Sequence, residues 1–127
     1  MPVDVIIDTN IWIDFFGNES DPTLETILSE GRGYLTPIIV SELISGCRNV
    51  KDEEQIISLI RDLPVIDCPL DHWERVGYLR RLCQKKGINL TIPDAHIAQC
   101  TLDMDGLLLT RDQVFIKAAR VIGLRLF

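Results

Sequence analysis

The sequence predicts an α/β protein: a mostly parallel β-sheet covered by helices on both faces, a three-layer α/β/α arrangement. Three observations carry this. Residues 3–7 are almost continuously apolar and rich in β-branched side chains, as a strand buried on both faces requires. Short apolar runs then alternate along the chain with longer stretches whose apolar residues recur at helical spacing. Such alternation builds parallel sheets through crossover helices. The 127 residues suit one core, and no linker, repeat or low-complexity segment divides them, so residues 1–127 are read as a single domain.

Each element has a local cause. After the strand at 3–7, the stretch Ile11-Trp12-Ile13-Asp14-Phe15-Phe16 reads as a helix whose apolar residues enter the core. Trp12, Phe15 and Phe16 are not expected to share one face, which leaves some aromatic surface. Asp21-Pro22 opens a second helix, with Leu24, Ile27 and Leu28 as its apolar side and Gly31 as its stop. Residues 34–35 form a short strand, and Thr36-Pro37 opens a third helix closed by Gly46. Residues 51–63 carry acids in the first turn and Ile56, Ile60 and Leu63 on one side. A strand candidate at 65–68 precedes a helix over 70–86, in which Trp73, Val76, Leu79 and Cys83 are spaced helically ahead of Gly87. Residues 91–103 form a helix with Pro93 near its start, and 107–109 a strand. Phe115, Ala118, Ala119 and Ile122 make the last helical stripe, before Gly123 and a fifth strand candidate at 124–127.

The bulk composition narrows the function. No apolar run approaches the ~20 residues of a membrane span. The start MPVDVIID is interrupted by Asp4 and Asp8 and lacks a basic leader, so a cytoplasmic location is expected by default. The net charge of −6 argues against a broad basic footprint for nucleic acid. Part of that charge is concentrated in four acids, however, and bound divalent cations would offset it. Cys47, Cys68, Cys83 and Cys100 form no CxxC pair and are read as small buried apolar residues.

Those four acids are Asp8 in VDVIIDTN, Glu42 in TPIIVSEL, Asp94 in TIPDAHIA and Asp112 in LLLTRDQVF. Each stands where an apolar run meets a helix signal. In a parallel sheet the ligand crevice lies beyond the carboxyl ends of the strands, and there the four can converge. Singly, each has a plain explanation: Asp112 as a helix N-cap, Asp94 as a first-turn acid. Glu42 is harder to explain, because an ionised group in so apolar a helix is costly unless paired. Jointly, carboxylates gathered in one place suit hard divalent ions, and two such ions can drive phosphodiester hydrolysis without a nucleophilic side chain.

The order and spacing of Asp8-Thr9-Asn10, Ser41-Glu42-Leu43, Pro93-Asp94 with Ile97-Ala98, and Thr110-Arg111-Asp112 ahead of Phe115 resemble the PIN-domain ribonucleases. Within them the chain looks most like the VapC toxins of VapBC toxin–antitoxin systems. The resemblance spans essentially the whole chain. It implies a PIN-like fold with a central, mostly parallel five-stranded sheet. It also implies an endoribonuclease that hydrolyses RNA phosphodiester bonds with Mg²⁺, for which Mn²⁺ can substitute. Asp8, Glu42, Asp94 and Asp112 would be the catalytic, metal-binding carboxylates. Thr9, Asn10 and Thr110 would hold the carboxylates or the attacking water by hydrogen bonds. A homodimer and a VapB-like antitoxin are the implied partners, with the Ile11–Phe16 region as a wall of the antitoxin groove. One departure stands out: where many members carry a further acid two residues after the Asp112 position, this chain has Val114. The fourth ligand therefore rests on Asp112 alone.

Other residues are weighed against simpler roles. Arg111 is a candidate contact for substrate phosphate beside the acids, and Arg80, Arg81, Lys85 and Lys86 read first as a solvated helix end. His96 is expected at or near the surface, and His72 has no partner visible in the sequence. Two rival functions remain. A haloacid-dehalogenase-type phosphatase also begins with an Asp after its first strand, but needs D-x-D where this chain reads Asp8-Thr9-Asn10. A non-catalytic PIN-like binding module would not need all four acids.

Overall fold

A computed structural model describes residues 2–19 and 21–127. Its elements run β1 (Val5–Ile7), α1 (Thr9–Phe16), α2 (Pro22–Ser29), β2 (Gly33–Tyr34), α3 (Pro37–Ser45), α4 (Val50–Asp62), α5 (Leu70–Lys85), α6 (Ile92–Asp103), β3 (Leu107–Leu109) and α7 (Gln113–Ile122). The strands form one parallel sheet in the order β2-β1-β3. All three residues of β1 are fully buried, as its unbroken apolar run requires.

The predicted five strands are three strands and two single bridges. Val65 bridges to Leu35 beside β2, and Leu126 to Leu108 beside β3, both in parallel. These two segments sit at the outer edges, with one neighbour each, and Val65 is exposed. The bridge at the β2 edge is made by Leu35 N–H to Pro64 O and Ile66 N–H to Leu35 O, and beyond it Cys68 lies against Cys100 of α6.

Helix starts follow their caps. Asp8, Asp21, Thr36, Asn49, Thr91 and Asp112 each cap a helix by accepting a backbone N–H with the side chain. Pro69, ahead of α5, cannot do this, and no side chain caps that helix. At the other end of α7, Gly123 adopts φ 71° and closes the helix onto Ala119 O.

The topology sets the position of the crevice. The chain steps from β1 to β2, then crosses back over β1 to β3. Right-handed crossovers in opposite directions place their helices on opposite faces, and the crevice opens at β1, where the direction reverses. Asp8 is the residue that follows β1. The helix α6 packs on β1 and β3 and also on α5. Its residues Ala95 to Thr101 are consequently all buried.

Candidate functional site

Strand register decides which side chains meet first. Ile7 pairs with Leu109, and Asp8 N–H donates to Leu109 O at 2.9 Å. The next residues of the two strands, Asp8 and Thr110, therefore leave the sheet together. Thr110 Oγ1 donates to Asp8 Oδ2 at 2.6 Å, Asn10 Nδ2 donates to the same oxygen at 3.3 Å, and Thr9 N–H donates to Oδ1 at 2.8 Å. Thr110 Oγ1 also accepts from Asp112 N–H at 3.0 Å, so one hydroxyl ties Asp8 to Asp112. Asp112 is exposed and caps α7 through Val114 N–H at 3.1 Å.

Glu42 reaches the same edge from α3, where its Oε1 accepts from Thr9 Oγ1 at 2.9 Å. The expected cost of burying it does not arise. Glu42 is exposed, and lies with Ser41 and Ser45 on the solvent side of a helix whose Ile39 and Leu43 are buried. Asp94 sits half-buried in the first turn of α6, its N–H donating to Thr91 Oγ1 at 3.2 Å.

Burial pushes the Asp8 carboxyl above its ordinary range; the bonds from Thr110 and Thr9 oppose this, and the charges of Asp94 and Glu42 add to it. Burial also raises Asp94, against the Thr91 bond, with a further contribution from Asp112. The Asp8 and Asp94 carboxyls thus each feel a neighbouring acid, a repulsion that a bound cation would relieve. The donors are carboxylate and hydroxyl oxygens, which suit a hard ion such as Mg²⁺ or Mn²⁺. No three of the acids have ligand oxygens within 4.8 Å of one another among the described residues.

Around this edge, Arg111 is already engaged. Its guanidinium pairs with Asp14 and lies 3.8 Å from Asp21, and its backbone N–H approaches Asn10 Oδ1 at 3.4 Å. On α1, Trp12, Phe15 and Phe16 cluster together, with centroids 5.5–6.4 Å apart; Trp12 is buried, Phe15 and Phe16 keep part of their aromatic surface, and Ile13 is exposed. The basic stretch on α5 does not act as one patch: Arg80 donates to Leu90 O at 2.7 Å, while Arg81 lies over Tyr78.

The histidine and cysteine expectations need correction. His96 is fully buried and His72 nearly so, with His72 Nε2 and His96 Nδ1 2.8 Å apart. Cys68 and Cys100 are not isolated apolar fillers, since their sulfurs lie 3.8 Å apart beside these rings. The signal was a repeated spacing of four, Cys68 to His72 and His96 to Cys100; the second pair lies on adjacent turns of α6, while Cys68 stands just ahead of α5 and His72 in its first turn. A search for CxxC passes over it.

Comparison with known proteins agrees with the fold. The PIN domain family profile matches residues 5–121. Among solved structures, the VapBC2 complex of Rickettsia felis, bound to a promoter DNA fragment, contains a chain that superposes with a TM-score of 0.78 at 19% identity, covering 97% of this chain and 96% of that one. A chain of DNA-bound VapBC from Salmonella typhimurium gives 0.73 at 22% identity, covering 99% and 98%. VapBC-1 of nontypeable Haemophilus influenzae gives 0.74 at 20%, covering 97% and 96%. No curated protein sequence matches the chain.

Proposed function

The chain belongs to the PIN domain family, and from that premise we propose that it is a metal-dependent endoribonuclease and the toxin of a toxin–antitoxin pair. One observation supports the reading: at the carboxyl edge of the sheet the Thr110 hydroxyl ties Asp8 to Asp112, Thr9 holds Glu42, and Asp94 is near enough to add to the upward shift of Asp8. In this reading they are the catalytic carboxylates and hold Mg²⁺, or Mn²⁺ in its place. Bound there, the cation would activate water for attack on an RNA phosphodiester and offset the charge that builds on the phosphate.

The protein's own groups prepare that chemistry. Thr110 and Asn10 hold Asp8 by one oxygen, and Thr9 aims Glu42 from the start of α1. Burial strengthens every charge interaction around Asp8. Arg111 is the proposed contact for substrate phosphate, which would compete with Asp14 and Asp21 for its guanidinium.

The proposed protein partners are a second copy of the chain and a VapB-like antitoxin. The VapBC complexes whose chains share this fold support the latter. So does an apolar groove of about 400 Å³, lined by Ile13, Phe16, Leu43, Cys47 and Ile56 with Glu42 at its rim. A segment seated there would lie beside the acids.

The test uses the purified chain, free of any partner, with mixed RNA and Mn²⁺ or Mg²⁺. Cleavage is expected, with its loss in a chelator and in Asp94→Asn. Intact RNA in the presence of folded protein that binds the metal would refute the nuclease assignment.

A further inference from the structure

We propose that Cys68, His72, His96 and Cys100 form a second, structural metal site that takes a zinc-class divalent ion and pins the start of α5 to α6. Among the described residues, this is the group of His, Cys, Asp and Glu side chains whose ligand atoms all lie within 4.8 Å of one another.

The separations fit one tetrahedral ion. Zn–S bonds of ~2.3 Å and Zn–N bonds of ~2.0–2.1 Å place sulfurs about 3.8 Å apart, sulfur and nitrogen about 3.6 Å, and nitrogens about 3.3 Å. Here the sulfurs are 3.8 Å apart, and Cys100 Sγ lies 3.9 Å from both His72 Nε2 and His96 Nδ1; it is also 3.8 Å from His96 Nε2, so the His96 ring would turn to aim Nδ1 at the ion. The two nitrogens are 2.8 Å apart, the length of a hydrogen bond between the rings, and would open by roughly half an ångström to admit the ion. Both spacings of four are served by the backbone. His96 and Cys100 are one turn apart on α6, and Cys68 precedes α5 by two residues with His72 in its first turn.

The surroundings also suit a ligand site. The other nitrogen of His72, Nδ1, faces Asp103 Oδ2 at 3.5 Å. That carboxylate is itself held by Arg75 at 2.8 Å and by Gln99 at 2.8 Å. Carboxylate behind histidine is the arrangement that orients metal-binding imidazoles. Trp73 stacks flat on His96, with centroids 4.7 Å apart. Two thiolates neutralise a divalent ion, so the filled site carries no net charge into a buried place. Cys68, only half-buried, leaves a path of entry. Sulfur and imidazole donors select zinc over Mg²⁺, which separates this site chemically from the carboxylate edge.

Four protein ligands leave no open position, so the site holds structure rather than catalysing. Its place gives it a task. The first turn of α5 has no side-chain cap, and the ion would anchor that turn to α6, the helix that carries Asp94.

The test is titration of the reduced, chelator-treated full chain with Co²⁺. One equivalent should bind, with tetrahedral visible bands and a thiolate-to-cobalt charge-transfer band, and one equivalent of Zn²⁺ should displace it. Cys68→Ser, at the half-buried position, should cut the thiolate band to half or less, because only Cys100 remains to supply it. Asp103→Asn should weaken binding roughly 10–100-fold. Asp8→Asn should leave the spectrum unchanged, so the outcome is independent of the nuclease reading. A folded, reduced wild-type chain with no thiolate band overturns the proposal, as does a band of undiminished intensity in Cys68→Ser.

Discussion

Replacing Thr110 by Val keeps the shape of the side chain and removes a single hydroxyl. That hydroxyl donates to Asp8 Oδ2 at 2.6 Å, a short bond to a carboxylate that is 6% exposed. A hydrogen bond to a charged group contributes about 1.5–3 kcal/mol, roughly twice a neutral one. Thr110→Val should therefore lose about that much stability above the folded-state pKa of Asp8, where the carboxylate is ionised. When Asp8 is protonated the bond is an ordinary one, so the loss should fall to about half. The bond favours the charged form, so its extra stabilisation is present above the folded-state pKa of Asp8 and vanishes as pH falls through it. Burial keeps that pKa above the ordinary value of 3.8, so the change begins in weak acid. Losing a bond that favours the charged form should raise the Asp8 pKa of the variant above that of the wild type. Urea unfolding with a chelator present, at neutral and at acid pH, measures the two gaps, and a carboxyl-carbon NMR titration reads the pKa. Equal gaps at the two pH values, or an unmoved Asp8 titration, would refute the reasoning.

Asp8→Asn probes the same carboxyl from the other side. The folded-state pKa of Asp8 is raised by burial, so its contribution to stability is present in acid and lost as pH rises through that pKa. Without divalent cations, the stability of wild type relative to Asp8→Asn should fall as pH rises from acid to neutral, on top of a constant offset from the hydrogen bonds that asparagine cannot accept. A gap between thermal unfolding curves that does not change with pH would contradict this. Gly106→Ala tests the approach of β1 to β3, because an added Cβ would meet Asp4 O at 2.7 Å and Met104 Cγ at 3.0 Å. Backbone cannot yield as a flexible side chain does, so a loss of about 1–3 kcal/mol is expected in denaturant unfolding. An unchanged midpoint would show that the strand pair tolerates displacement.

Much of the architecture is legible in the sequence because its signals are local. The apolar run of β1, the caps at Asp21, Thr36 and Asp112, and the stop at Gly123 act within a few residues of themselves. The four acids are visible as well, because a parallel sheet brings the carboxyl ends of its strands to one edge whatever its detailed register. Other features depend on neighbours distant in the chain. Glu42 looked buried from its helix alone, yet α3 turns that side to solvent and Thr9 holds the carboxylate. The edge strands shrank to single bridges because each has one partner. Cys68 and His72 lie 24 or more residues from the His96 and Cys100 they meet, across the packing of α5 on α6, and no local rule joins them. Sequence by itself determined the elements, their alternation and the acids at the strand ends, since propensity, capping and burial pattern are short-range. Tertiary structure alone decided which oxygen Thr110 grips and which rings and sulfurs share a space, because those contacts exist only once the helices have closed on the sheet.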